Sequence, residues 1–376
     1  VKKGLTIISH TEHYKDTDGN IVGLVSTVTE INHLLEVFDE IYHVAMLHEG
    51  KAPPNTILYT SNKIKFIPIK ALGGKGLKNK LELIISIPSV IGKVRKALKR
   101  TYYFQFRAPT GIGVFVIPYL LLSSKKGWFK YAGNWQQHHG PLAYQFQRWL
   151  LKKSNSLVTI NGVWEGQPEH CKSFENPCLT SDELKAGERC ISTKKFNKTS
   201  INFCFVGRLE DAKGVNLLMN AFLKLDKNNK VKIGQIHIVG KGSKMNHYKS
   251  LSDGSGLTFI FHNTLSRKEV HAIYKVSNAI ILPSASEGFP KVVAEAMNYG
   301  CLPIVSNVSS IGQYVKDRKN GLLLNAISEE GLTEKLMELL DFTEEDYFKM
   351  IESSEHKLYK FTYEYYNNRI KNFILS

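Results

Sequence analysis

The chain has 376 residues, enough for two domains of ordinary size, and 43% hydrophobic with 22% charged residues is a globular rather than a disordered composition. No run reaches the roughly 18 apolar residues that a membrane span needs, and the opening Val-Lys-Lys carries no signal-type apolar segment. Five cysteines without a CxxC pair or zinc spacing point to reduced thiols and a cytoplasmic setting rather than to a disulfide framework.

The net charge of +16 is concentrated in one region. Residues 61–153 carry 18 Lys or Arg against one acid, Glu82, while the remainder holds 32 basic and 33 acidic residues. One-sided basic surface attracts lipid, nucleic acid or anionic substrate. No nucleic-acid reading motif accompanies it, so the expected partner is an anionic membrane surface, where each Lys or Arg is worth about 1 kcal/mol. A merely solvated basic face is the plain alternative.

GLTIIS (4–9) reads as a buried first strand, followed by a polar, glycine-bearing loop, HTEHYKDTDGNIVG, and an amphipathic helix over 24–38. The loop lacks G-x-G-x-x-G. Asp16 and Asp18 sit in a turn-like DTDGN, and His10, Glu12 and His13, neighbours in one loop, make a poor metal cage. Strand-like EIYHVAML, NKIKFIPIK, TYYFQFR, GWFKYAG and SLVTIN alternate with helical stretches. One of these is a basic helix over 77–100 with a kink at Pro88, and another an apolar core helix over 112–124. This alternation predicts an α/β fold with a mainly parallel sheet. The basic helix has an apolar face that suits sheet packing or a membrane surface. TYYFQFRAP ends at Arg107 on the edge where open sheets bind ligands. Asn134, His138 and His139 follow the next strand, either as ordinary exposed loop residues or as part of a ligand cleft.

Polar residues 180–199 read as a linker, after which INFCFVGRLEDAKG gives a buried strand ending at Gly207, flanked by Arg208 and Lys213. Later, IILPSASEG reads as a buried strand entering a loop, and SEGFPKVVAEAMNYG (286–300) as a loop entering a helix with Pro290 at its first position. Free N–H groups at such a start hold a phosphate, aided by the helix dipole. Glu287 stands beside that phosphate and Glu295 about a turn and a half into the helix, both suited to gripping hydroxyls. An acidic, capped strand-to-helix corner is the ordinary alternative.

FVGRLEDAKG, ILPSASEGFPKVVAEAMNYGCLPIVS and NGLLL, in this order and spacing, resemble the donor-site signature of group 1 retaining glycosyltransferases over residues 203–330. The resemblance implies the GT-B architecture, α/β with two facing Rossmann-like domains, each with a mainly parallel sheet. The expected division is an acceptor-side domain over 1–185, a linker over 186–199, a nucleotide-sugar domain over 200–350 and a helix over 351–376 that packs back on the first domain.

The implied reaction moves a sugar from a nucleotide diphosphate, UDP- or GDP-linked, to an acceptor hydroxyl on a saccharide or lipid-linked saccharide, as in bacterial polysaccharide or lipopolysaccharide assembly. Arg208, Lys213 and Glu287 are the expected catalytic residues, the two cations stabilising the departing diphosphate without a metal or other cofactor. Gly207, Gly288, Phe289, Pro290, Lys291 and Glu295 complete the donor site, with the base against Asn263 to Leu265. Arg107, where many relatives carry histidine, joins Asn134 and His138 on the acceptor side. The location implied is the cytoplasm, peripheral at the inner face of the membrane. A glycoside phosphorylase and a non-catalytic binder of anionic polymer or nucleic acid are the alternatives.

Overall fold

The computed structural model describes residues 3–74, 76–137 and 140–375. They divide into two units, Val1–Asn176 with Tyr363–Ser376, and Pro177–Thr362. In the first unit one sheet holds β1 (Gly4–Lys15), β2 (Ile21–Leu24), β3 (Glu40–Leu47), β4 (Thr56–Leu58), β5 (Ile64–Lys70), β6 (Tyr103–Ala108), β7 (Lys126–Tyr131), β8 (Leu157–Ile160) and β9 (Cys171–Ser173). Its parallel core runs β5-β3-β1-β6-β7-β8-β9, and β2 and β4 extend the far end of β1 by antiparallel pairing.

The stretch after residue 9, expected as an open loop, is instead the second half of β1, a turn and β2. The pairing of β1 with β3 slips between Ile8 and Glu12, a bulge that lets the strand continue. His13 is polar yet fully buried, because its ring nitrogens lie 2.7 Å from the Tyr59 hydroxyl and 3.0 Å from the Thr11 carbonyl. The Asp16 carboxylate accepts from the amides of Asp18 and Asn20 and closes the turn, as the DTDGN reading requires.

The basic helix is also two helices, Leu77–Ile85 and Ile87–Leu98. Pro88 lies in the first turn of the second, where a missing N–H costs nothing. Val90, Val94, Val116, Ile117, Leu120 and Leu151, from helices Ile87–Leu98, Gly113–Leu121 and Leu142–Lys153, cover one sheet face over Phe104, Phe106 and Phe129. Ile31, Leu34, Phe38, Tyr366 and Ile370 cover the other, over Leu5, Ile7 and Trp128. Tyr366 and Ile370 belong to the closing helix Tyr363–Phe373. Asn367 of that helix donates to the His33 carbonyl at 2.8 Å.

The second unit has β10 (Ile201–Val206), β11 (Ile233–Val239), β12 (Thr258–His262), β13 (Ala279–Leu282), β14 (Leu302–Ser306) and β15 (Leu322–Leu324), all parallel, in the order β12-β11-β10-β13-β14-β15. This is the doubly wound order, which reverses between β10 and β13. Near-continuous burial of β10, β13 and β14 fits strands covered on both faces.

The linker expectation fails. Residues 181–191 form helix Ser181–Ile191 of the second unit, opened by a reciprocal cap between Thr180 and Glu183. Its mostly polar face makes an amphipathic helix read as a linker. The second unit also extends beyond 350, through helix Glu344–Leu358 to Thr362.

Candidate functional site

At the reversal point of the second sheet the chain leaves β10 and β13 in two adjacent loops. After β10 come Gly207, the exposed Arg208, a 3-10 turn Asp211–Lys213 and Gly214, which opens helix Val215–Lys224. Gly214 has φ +74°, and a Cβ there would stand 2.3 Å from the Pro283 carbonyl oxygen, so glycine alone lets the β10 turn lie against the end of β13. The Ala285 amide donates to the Ala212 carbonyl at 3.0 Å and ties the loops together. Across them, Lys213 Nζ lies 2.5 Å from Glu287 Oε1, with the glutamate only 10% exposed. Arg208 stays outside this pair, its side chain 73% exposed and its Nη1 3.1 Å from Glu210 Oε1.

The loop backbone after Glu287 is held from behind. Ser310 Oγ donates to the Gly288 carbonyl at 3.0 Å. The buried Phe289 ring stacks on Phe361 at 4.8 Å and meets Tyr314 edge-on. Pro290 is the N-cap rather than the first helical residue, and helix Lys291–Asn298 follows with no side-chain cap and no acid in its first turn. Its first amides, with the partly exposed Lys291 among them, suit an anion. The exposed Asn263 and half-buried Leu265 follow β12 on the other flank.

Glu295 is buried in a network that the sequence reading missed. Arg267 Nη1 donates to Glu295 Oε1 at 2.8 Å, while its Nε and Nη2 grip both oxygens of Glu183 at 2.8 Å and Nη2 reaches the Cys178 carbonyl. Burial raises the Glu183 carboxyl, but the bonds and charge of Arg267 outweigh it and hold the group below its ordinary range. His271 lies 3.6 Å from Glu183 and 2.9 Å from the Tyr299 hydroxyl. Its pKa is lowered to about 4, by burial first and the Arg267 charge second. Two reciprocal caps, Thr180 with Glu183 and Ser266 with Glu269, anchor the helices that carry these groups, and both are legible as T-S-D-E and S-R-K-E.

On the first unit, Arg107 is 13% exposed and donates to Glu30 at 2.9 Å and to Gln105 at 2.9 Å. Lys130 reaches the same Glu30 oxygen at 2.5 Å, so Arg107 belongs to a buried ionic cluster at the ends of β6 and β7. The Asn134 carboxamide accepts from the Gln136 amide at 3.0 Å and shapes its own turn. His138 and His139 lie outside the described residues.

A depression of about 670 Å³ opens at the opposite edge of the second sheet, around Arg189, Lys194, Asn202, Lys275 and Asn278. Lys194 Nζ donates there to the carbonyls of Tyr274, Lys275 and Tyr299, a cation closing two helix C-termini. The strand-end site is marked by the short contacts that hold its two loops.

Residues 189–357 match the family model described as glycosyl transferases group 1. An uncharacterized glycosyltransferase of Methanocaldococcus jannaschii is 31% identical over 150 residues, 39% of this chain and 40% of that protein. The Escherichia coli UDP-Gal:alpha-D-GlcNAc-diphosphoundecaprenol alpha-1,3-galactosyltransferase is 28% identical over 166 residues, 44% of this chain and 42% of that protein. The chain thus spans about two fifths of the length of these curated relatives. Among solved structures, Anabaena HepE in complex with UDP and glucose matches at TM-score 0.69 and 13% identity, covering 100% of both chains. That likeness shows the fold, the two-domain GT-B architecture.

Proposed function

Starting from the match of residues 189–357 to the group 1 glycosyl transferase model, we propose that this chain transfers a sugar from a nucleotide diphosphate to an acceptor hydroxyl with retention of configuration. The observation that carries the reading is the 2.5 Å contact of Lys213 with Glu287 across the reversal point of the second sheet. A cation for a phosphate and a carboxylate for sugar hydroxyls stand side by side where a doubly wound sheet binds nucleotides. A donor would divide the pair, Lys213 turning to the diphosphate and Glu287 to the sugar. The helix start after Pro290, which carries no side-chain cap, adds positive potential for the same anion.

In the proposed step the bond from the anomeric carbon to the phosphate oxygen breaks as the acceptor oxygen attacks from the same face. The acceptor proton passes to a phosphate oxygen, so no side chain serves as base. Glu295, braced by Arg267, would hold the ribose hydroxyls. Arg208 would swing from Glu210 to the diphosphate, and these cations would replace a metal.

The E. coli relative is named for an acceptor on diphosphoundecaprenol and HepE for UDP with glucose. These names favour a UDP-sugar donor and a lipid-linked saccharide acceptor. The test is release of nucleotide diphosphate from a panel of UDP- and GDP-sugars with saccharide acceptors in EDTA, followed by NMR of the new linkage. Release with a retained anomer is expected. Inversion overturns the mechanism, and dependence on added metal overturns the cation assignment.

A further inference from the structure

Helix Leu77–Ile85 contains no buried residue. Leu77, Leu81, Ile84 and Ile85 are 84%, 58%, 61% and 69% exposed, and their spacing of i, i+4, i+7 and i+8 lines them along one side. A second stripe runs along helix Leu142–Lys153, where Leu142, Phe146 and Trp149 are 83%, 39% and 57% exposed at i, i+4 and i+7. Leu83 and Leu151 of these helices pack on the same hydrophobic cluster, so both helices lie on one face of the first sheet, with the two stripes left exposed. Leu122, 90% exposed, closes helix Gly113–Leu121 on that face.

Soluble surfaces seldom leave two such stripes uncovered. Here they are set in one-signed charge, with 14 Lys or Arg and the single acid Glu82 between residues 77 and 153. Lys78 and Lys80 flank the first stripe, and Arg148, Lys152 and Lys153 the second. Apolar side chains ringed by cations, with a tryptophan among them, match the acyl and headgroup layers of an anionic bilayer. A second copy of this chain would set the same positive charge against itself.

We propose that this face docks on an anionic lipid surface through both helices, Leu77–Ile85 and Leu142–Lys153. The inference deepens the lipid-linked acceptor proposed above and rests on that reading only for its purpose, since docking is measured without donor or acceptor. It differs from a purely electrostatic attachment of the basic segment in requiring the two apolar stripes to enter the lipid.

Trp149 is the exposed reporter, since Trp128 and Trp135 are buried at 0% and 1% exposure and the half-buried Trp164 packs on the core and donates its ring N–H to the Asn161 carbonyl. With vesicles of phosphatidylcholine and phosphatidylglycerol, the protein floats and its tryptophan emission shifts to the blue. The blue shift is absent in Trp149→Tyr. The double variant Leu81→Glu with Ile85→Glu changes only exposed positions, so it folds, and it floats on the order of tenfold less. Equal flotation on phosphatidylcholine alone, flotation untouched by the double variant, or dimerisation through these stripes without vesicles would each overturn the proposal. A protein that binds a nucleotide diphosphate but does not float overturns docking alone. One that floats but binds none overturns the transferase reading and leaves docking standing.

Discussion

Lys213 and Glu287 carry the account at the scale of single residues. Lys213→Ala removes the cation proposed to meet the developing diphosphate charge, and the transfer rate should fall on the order of 10²- to 10³-fold, by analogy with losing one oxyanion donor. Steady-state release of nucleotide diphosphate measures it, and a rate within a few-fold of wild type would contradict the role. Arg267 is different in kind, because it braces Glu295 through contacts 28, 84 and 89 residues away in sequence. Arg267→Met strands Glu183 and Glu295, each less than a fifth exposed, and should cost about 3 kcal/mol in denaturant unfolding. Donor affinity should fall with it, whereas Arg267→Lys restores charge without the fork and recovers only part. Contacts so distant in sequence are illegible without the fold. Glu287 and Glu295, by contrast, are legible because a loop and one helical turn and a half fix their spacing locally.

Between β10 and helix Val215–Lys224, one glycine decides how the elements meet. Gly214→Ala places a Cβ 2.3 Å from the Pro283 carbonyl in a left-handed backbone, and separation of the two loops should follow. The expected cost is about 1 to 3 kcal/mol in stability, with weaker nucleotide binding because Lys213 precedes the displaced residue. An unchanged midpoint and affinity would show that the close approach is unimportant. At this scale the sequence is most informative where local chemistry rules. The apolar runs of β10, β13 and β14 and the Asp16 turn are read from a few residues. Helix Ser181–Ile191 is misread as linker despite its legible T-S-D-E cap, because its polar face outweighs a narrow buried one, Gly187 and Ile191. The second half of β1 is hidden for a related reason: His13 and its hydrogen-bonded neighbours put polar side chains inside a strand.

Across the whole molecule, buried histidines make stability sensitive to acid. His10 and His13 are lowered from 6.5 to about 4, by burial first and by the nearby His48 as well, and His271 falls equally far through burial and Arg267. Fully buried His43 is held well below its ordinary value, again chiefly by burial. Below 6.5 the unfolded chain takes up protons that these folded sites refuse, so stability is lost as pH falls from there toward 4. The thermal midpoint should therefore drop between about pH 7 and about pH 5, and His43→Gln should flatten the drop. A midpoint that holds level over that range would show the histidines free to protonate in the fold.

The central claim, a nucleotide-diphosphate site at the reversal point of the second sheet, is tested most directly by thermal unfolding with UDP, GDP, ADP and dTDP, each without metal. A ligand at about 100 times its dissociation constant adds roughly 2.7 kcal/mol, which moves a midpoint by degrees. The account predicts a shift with one of these nucleotides that is lost in Lys213→Ala and in Glu295→Ala, each compared with its own unliganded midpoint. No shift with any of the four from a folded sample, or an equal shift in Lys213→Ala, would contradict it.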